Sequence, residues 1–266
     1  MTRILHITDP HVVLSPDLVA NTLDTGAIFN AAITAILDRW ETFGNVDAVV
    51  VTGDVTDNGD LASYQAFRTQ IKRLPAPCFI VPGNHDLREP MRTCFGDCDF
   101  MPNAGKINWA HDFPDLRLIG LDTLLPHQGG GILDDETLGF LGAQLQTAAD
   151  KPILVALHHP PFQTGLKFMD RIGLQGSEHL GKVLDLAQGE VRLICGHVHS
   201  TIIGAVGGHV AIAGASLAST FLADYRDQGP VGFAKGPTGY MIHDWNNGFC
   251  STSVPLLATV QLHPFR

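Results

Sequence analysis

Residues 48–59 read AVVVTGDVTDNG. Five apolar or β-branched residues closed by a glycine describe a strand buried on both faces, as in a parallel sheet covered by helices. Asp54 stands at the carboxyl end of that strand. The same arrangement recurs four more times: ILHIT (4–8) leads to Asp9 and His11, CFIVPG (78–83) to Asn84, ILVAL (153–157) to His158, and VRLIC (191–195) to His197 and His199. In open α/β sheets ligands bind outside the carboxyl ends of the strands, so these dispersed residues converge on one crevice.

Between the strands the apolar spacing changes to helical. Ile28, Ala32, Ala35 and Ile36 share one face of a predicted helix over 27–40, and Leu61, Tyr64, Phe67 and Ile71 share one over 60–72. A third helix follows Asp134-Asp135, with Leu138, Leu141, Leu145 and Ala148 on its stripe and the acidic pair where the helix dipole favours it. A fourth is expected from about Glu178 to Ala187. The run LRLIGLD (116–122) carries no evident ligand and separates two βαβ-like halves. After His199, HVAIAGAS and TGYMIHDW predict antiparallel hairpins that complete a second sheet. The expected fold class is therefore α/β, a two-sheet β-sandwich flanked by helices. Residues 1–266 are expected to form a single domain, with 213–266 as a C-terminal hairpin or cap element.

Composition agrees with a large core, because 45% of residues are hydrophobic and only 17% charged. A formal charge of −10 disfavours a grip on long nucleic acid, which needs a basic stripe. It does not exclude a phosphate substrate, since bound divalent cations would invert the local field. The sequence opens on a strand without the pattern of a secretory signal, and no run reaches membrane-spanning length, so a cytoplasmic protein is expected. Five cysteines do not suggest a disulfide framework. Cys195 reads as a buried thiol, and Cys94 and Cys98 as reduced loop cysteines.

Four histidines, two aspartates and an asparagine form a donor set that requires no thiolate and suits Mn, Fe or Zn. Asp54, with two carboxylate oxygens, is placed to bridge two divalent or mixed-valence ions. Two ions about 3.5–4 Å apart stabilise both the attacking and the leaving oxygen of a displacement at phosphorus, and they acidify a shared water.

The motifs DxH, GDxxD, GNHD, HH before prolines and GHxH, in this order from Asp9 to His199, resemble the calcineurin-like metallophosphoesterase superfamily. The resemblance implies that Asp9, His11, Asp54 and His199 hold one metal and that Asp54, Asn84, His158 and His197 hold the other. His85 would face the substrate and protonate or stabilise the leaving oxygen, with Asp86 orienting it. Superfamily protein phosphatases carry arginine in GDxxDRG, where this chain has Asn58. HHPPF and GHVHS look like the bacterial cyclic-nucleotide phosphodiesterase and glycerophosphodiesterase branch. The implied reaction is attack of a metal-bridging hydroxide on a small phosphodiester. A phosphomonoesterase or a nuclease is the alternative among enzymes, and a scaffold that has lost catalysis is the alternative outside them.

His159 reads as a packing or supporting residue, and Gly129-Gly130-Gly131 as a flexible turn rather than a phosphate loop. His243-Asp244 resembles DxH reversed, within a strand. Three irregular stretches, 87–108, 162–176 and 223–237, are candidates for the pocket wall. Val254, Leu256 and Leu257 either pack on their own core or cover a neighbouring copy in a homo-oligomer.

Overall fold

Each apolar run that precedes a motif is a strand. The computed structural model describes residues 1–256, 263 and 265. In chain order the first half holds β1 (Thr2–Ile7), α1 (Thr25–Leu37), β2 (Ala48–Thr52), α2 (Leu61–Ile71), β3 (Cys78–Val81) and α3 (Arg88–Phe95). Then come β4 (Trp109–Asp112), β5 (Arg117–Gly120), β6 (Gly131–Ile132), α4 (Asp135–Thr147), β7 (Ile153–Ala156), α5 (Lys167–Asp170), β8 (Leu174–Gln175), α6 (Ser177–Leu184) and β9 (Val191–Cys195). The last four strands are β10 (Ile202–Val206), β11 (His209–Ala213), β12 (Gly239–Trp245) and β13 (Phe249–Pro255).

The strands form two sheets, ordered β13-β12-β1-β2-β3 and β10-β11-β9-β7-β5-β4, with β6 and β8 pairing separately. Pairing is parallel from β1 to β3 and through β5, β7, β9 and β11, so all five motifs leave their strands at carboxyl ends. The period-2 alternation of side chains divides the second sheet between two cores. Leu118, Leu154, Ala156 and Ile194 face the first sheet, and Ile119, Ile153, Val155 and Leu193 face Leu141 and Leu145 of α4 and Leu180 and Leu184 of α6. On the far side of the first sheet lie Phe29 and Ile33 of α1 and Tyr64 and Phe67 of α2. The architecture is an αββα sandwich, as the sequence implied.

Aspartates start three of the helices. Asp24, Asp60 and Asp134 accept from the backbone N–H of Ala27, Ser63 and Thr137 at 2.9, 2.9 and 3.0 Å, each worth about 1 kcal/mol of helix stability. Asp24 starts α1 two residues before the apolar pattern does. No helix among the described residues is long and apolar enough to cross a membrane.

The C-terminal hairpins do not both complete the second sheet. β11 pairs parallel with β9, whereas β12 pairs antiparallel with β1, and each hairpin thereby covers an edge strand that would expose unpaired backbone groups. Val254 and Leu256 pack against the core of the first sheet, and Leu257 lies outside the described residues.

Candidate metal centre

Asp9, His11, Asp54, His197 and His199 all have left-handed backbone, with φ of 50°, 45°, 47°, 69° and 50°. Such conformations cost about 1–3 kcal/mol each for non-glycine residues and persist where the surroundings enforce them. Here the enforcement is the meeting of strand ends. The N–H of Asp9 donates to the Gly53 carbonyl at 3.2 Å and that of His11 to the Asp54 carbonyl at 2.9 Å, so the segment after β1 runs along the segment after β2. The His197 N–H donates to both oxygens of Asp9, at 3.0 and 3.1 Å, joining the end of β9 to the end of β1. The glycines before the motifs allow the approach. A Cβ on Gly83 would strike Asp54 Oδ1, and one on Gly196 would strike Thr8 Oγ1.

The seven predicted ligands come together. His11 Nε2 lies 3.1 Å from His199 Nε2 and 3.5 Å from Asp54 Oδ2, and His199 Nε2 lies 3.5 Å from Asp9 Oδ1. Beside them, His158 Nε2 lies 3.0 Å from Asn84 Oδ1 and 3.3 Å from Asp54 Oδ2. A ligand atom of His197 is within 4.8 Å of those of His158 and His159.

The outer ring nitrogens are anchored, which fixes what the inner ones present. His158 Nδ1 donates to the Thr52 carbonyl at 2.7 Å, His11 Nδ1 to Asp57 Oδ1 at 3.1 Å, and His197 Nε2 to the Ile172 carbonyl at 3.1 Å. In neutral rings this leaves His158 Nε2, His11 Nε2 and His197 Nδ1 as lone pairs. Lone pairs set against one another and against carboxylate oxygens in a buried site need a cation or a proton between them. The donor set therefore fits divalent ions.

Burial opposes charge on Asp54, but His158, His85 and His11 around it prevail and hold its carboxyl well below the usual range. Burial likewise works against the charged form of His158, yet Asp54 beside it pushes the imidazole up to about 9. The charge of this ring compensates the carboxylates in the way a cation would. Burial, reinforced by the neighbouring imidazoles, drives His197 and His199 well below the ordinary imidazole value, which suits neutral donors.

His85 stands at the edge of the cluster, its side chain 41% exposed, with its backbone N–H donating to Asp54 Oδ1 at 2.8 Å. The partner of its ring is not the expected Asp86. His85 Nδ1 donates to the main-chain carbonyl of Asp57 at 2.9 Å, and the Asp57 carboxylate lies 3.5 Å away. The oxygens of Asp86 are taken by the N–H groups of Gly83, Val55 and Thr56 and by the Tyr64 hydroxyl, at 2.8–3.2 Å. Asp86 thus ties the GNHD turn to the GDVTD turn. The second aspartate of GDVTD, Asp57, to which the motif assigns no role, meets both His11 and His85.

His159 uses both ring nitrogens inside the protein, Nε2 donating to the Gly129 carbonyl at 3.2 Å and Nδ1 meeting the Thr123 hydroxyl at 2.8 Å. It supports the centre from behind. Gly131, in β6, is dictated by this ring, which a Cβ would strike, while Gly129 and Gly130 lie in the bend before the strand. His243 hydrogen-bonds His6 at 3.2 Å, away from the ligands, and Asp244 pairs with Arg3.

The cluster opens into a cavity of about 380 Å³. Two of the three expected loops contribute to its wall, through Phe168 and Ile172 and through Val231 and Phe233. The stretch 87–108 does not, because its apolar residues Met91, Cys94 and Phe95 form α3 and enter the core. Val19, Ala20 and Leu23, in the connection after β1, line the cavity as well.

Known proteins agree with this arrangement. The family model described as calcineurin-like phosphoesterase matches residues 2–201. The protein named "Probable glycerophosphodiester phosphodiesterase GpdQ" of Arcobacter nitrofigilis is 31% identical over 244 residues, covering 91% of this chain and 88% of its own. The 3',5'-cyclic adenosine monophosphate phosphodiesterase CpdA of Escherichia coli is 30% identical over 200 residues, covering 75% and 70%. Among solved structures, a dimetal phosphatase from Danio rerio superposes with a TM-score of 0.65 at 14% identity, over 97% of this chain and 99% of that one, a likeness of fold. With the match spanning most of the sequence and the motif residues gathered at one sheet rim, the chain belongs to the calcineurin-like phosphoesterase family.

Proposed function

We propose that this protein is a metal-dependent phosphodiesterase that hydrolyses a small phosphodiester with two metal ions. The observation that carries this reading is the convergence of seven nitrogen and oxygen donors, three of them with tautomers set by backbone carbonyls or a carboxylate. Asp9, His11, Asp54 and His199 hold one ion; Asn84, His158 and His197 hold the other with Asp54 shared. Mn, Fe or Zn suits such donors. When bound, the pair supplies hydroxide at neutral pH and counter-charge for the phosphoryl oxygens.

The chain's own groups do the rest. Thr52, Asp57 and Ile172 orient the imidazoles, and Asp86 with Tyr64 holds the two turns in register. His85, steadied through Nδ1 by Asp57, presents Nε2 to the departing oxygen and hands it a proton. No lysine or arginine is among the described residues that line the cavity, which favours the single charge of a diester over the double charge of a monoester. The names of the relatives point to glycerophosphodiesters and cyclic nucleotides as substrate classes. A net charge of −10 counts against a nuclease, and a full ligand set counts against an inactive scaffold.

The test is a metal-reconstituted panel of 3',5'- and 2',3'-cyclic nucleotides, glycerophosphodiesters, phosphomonoesters and single-stranded nucleic acid, compared by kcat/KM. His85→Ala retains metal and loses roughly 10²–10⁴ in turnover of unactivated diesters. A preference for monoesters, or no hydrolysis with any metal, overturns the reading.

A further inference from the structure

The cavity is lined by two kinds of surface. Part of its lining is the ligand cluster with His85, and part is apolar, made by Leu23, Phe168, Ile172, Val231, Phe233 and Phe221, whose ring stacks on His199 at 4.3 Å. The two hydroxyls that line it outside the cluster are already engaged. Thr25 Oγ1 donates to the His11 carbonyl at 2.6 Å and accepts from the Val13 N–H at 3.2 Å, and Ser219 Oγ bonds His199 Nδ1 at 2.9 Å. The Asp57 carboxylate accepts from His11 through Oδ1, with His85 Nδ1 3.5 Å away. An ester arm lying on Leu23, Phe168, Ile172, Phe221, Val231 and Phe233 meets apolar side chains, the polar groups that line the cavity outside the cluster, Thr25, Ser219 and Asp57, each being bonded to a neighbour.

A polar arm such as glycerol would give up water there without replacement, which costs affinity. An apolar arm gains about fourfold for each methylene it buries. The apolar wall also reaches the mouth, where Val231 is 69% and Ile172 37% exposed. A volume of about 380 Å³ is near the lower end for ligand pockets, so the arm is short.

We propose that the cavity selects a phosphodiester carrying one short apolar arm, alkyl or aryl, and that Phe168, Ile172, Phe221, Val231 and Phe233 set this preference. The inference rests on reading the cluster as a hydrolytic centre. It departs from the polar glycerol and ribose arms that the relatives' names imply.

The experiment uses the metal-loaded full chain with bis(p-nitrophenyl) phosphate as reporter and two competitors of equal charge, methyl hexyl phosphate and methyl 2,3-dihydroxypropyl phosphate. Competition reads binding whether or not the competitor is itself cleaved. The hexyl ester is expected to inhibit at a concentration at least tenfold lower. Val231→Asp, at a position exposed enough to leave folding intact, and Phe233→Ser each weaken the hexyl ester about fivefold and move the dihydroxypropyl ester less than twofold. Equal inhibition by the two esters, or tighter binding of the dihydroxypropyl ester, overturns the proposal while the hydrolytic reading stands. Failure to hydrolyse the reporter under any metal loading removes the hydrolytic reading and this one with it.

Discussion

Gly196→Ala adds a single methyl group at the point where the second sheet touches the first. Its Cβ would strike Thr8 Oγ1 and lie 2.6 Å from Asp9 Oδ2 and 3.1 Å from the Thr52 carbonyl. The Asp9 contact is about 0.8 Å inside an ordinary van der Waals distance, and Thr8 and Asp9 are both buried with no room to turn aside. Overpacking of this kind costs about 1–3 kcal/mol of stability. The larger effect is on chemistry, because displacing a reacting constellation by about 1 Å can cost around 10²-fold in rate. Gly139→Ala is the matched control. Gly139 lies on the exposed side of α4 with nothing within 4 Å of its added Cβ, so alanine there is expected to gain about 0.5–1 kcal/mol from helix propensity. Thermal melts and kcat/KM on bis(p-nitrophenyl) phosphate, taken across a metal titration, separate the two. Wild-type turnover and melting in Gly196→Ala would refute the close approach of Asp9 to the β9 turn.

Asp57→Ala removes the acceptor of His11 Nδ1 but keeps the main-chain carbonyl that holds His85, so metal affinity falls about 10–100-fold while kcat at saturating metal changes much less. An effect on kcat alone would place Asp57 wholly with His85. His6 is buried between His243 and Thr52, and burial pushes its pKa down to about 3. The unfolded chain, with its histidine near 6.5, takes up a proton in that window that the folded chain refuses. The stability of the neutral ring is therefore full above pH ~6.5 and is lost as pH falls toward 3. Urea titrations should show the advantage of wild type over His6→Gln shrinking by about 2 kcal/mol between pH 6.5 and 5; a constant gap would contradict the assignment. Tyr64→Phe deletes the hydroxyl that donates to buried Asp86 at 2.9 Å, and should destabilise the protein by about 1–3 kcal/mol with a smaller loss of turnover, read from melts and kcat/KM.

The parallel strands and their motif ends were legible because buried strands write continuous apolar runs, and the turns after them carry residues that only function explains. The helix starts were nearly so, since Asp24, Asp60 and Asp134 are capping residues whose side chains bond a neighbouring N–H. Long-range choices were not legible. Nothing in TGYMIHDW says that Ile242 will pair with Leu5 rather than extend the sheet of β9, because both edges accept the same apolar pattern. Adjacency in sequence misled at GNHD, where the tight turn sends Asp86 inward to backbone N–H groups and His85 outward to Asp57. The role of Asp57 was hidden for the opposite reason, since an aspartate before Asn-Gly reads as ordinary turn chemistry. The wall from Val19 to Leu23 carried no motif and became visible only when the chain after β1 folded beside the cluster.

The central claim is that two ions share Asp54. Metal content by elemental analysis after equilibrium dialysis, on wild type, Asn84→Ala and Asp54→Ala, tests it most directly. The account predicts about two ions per chain in wild type, about one in Asn84→Ala and loss of both in Asp54→Ala, since the bridging carboxylate serves each site. One ion per chain in wild type, or two retained in Asp54→Ala, would contradict it.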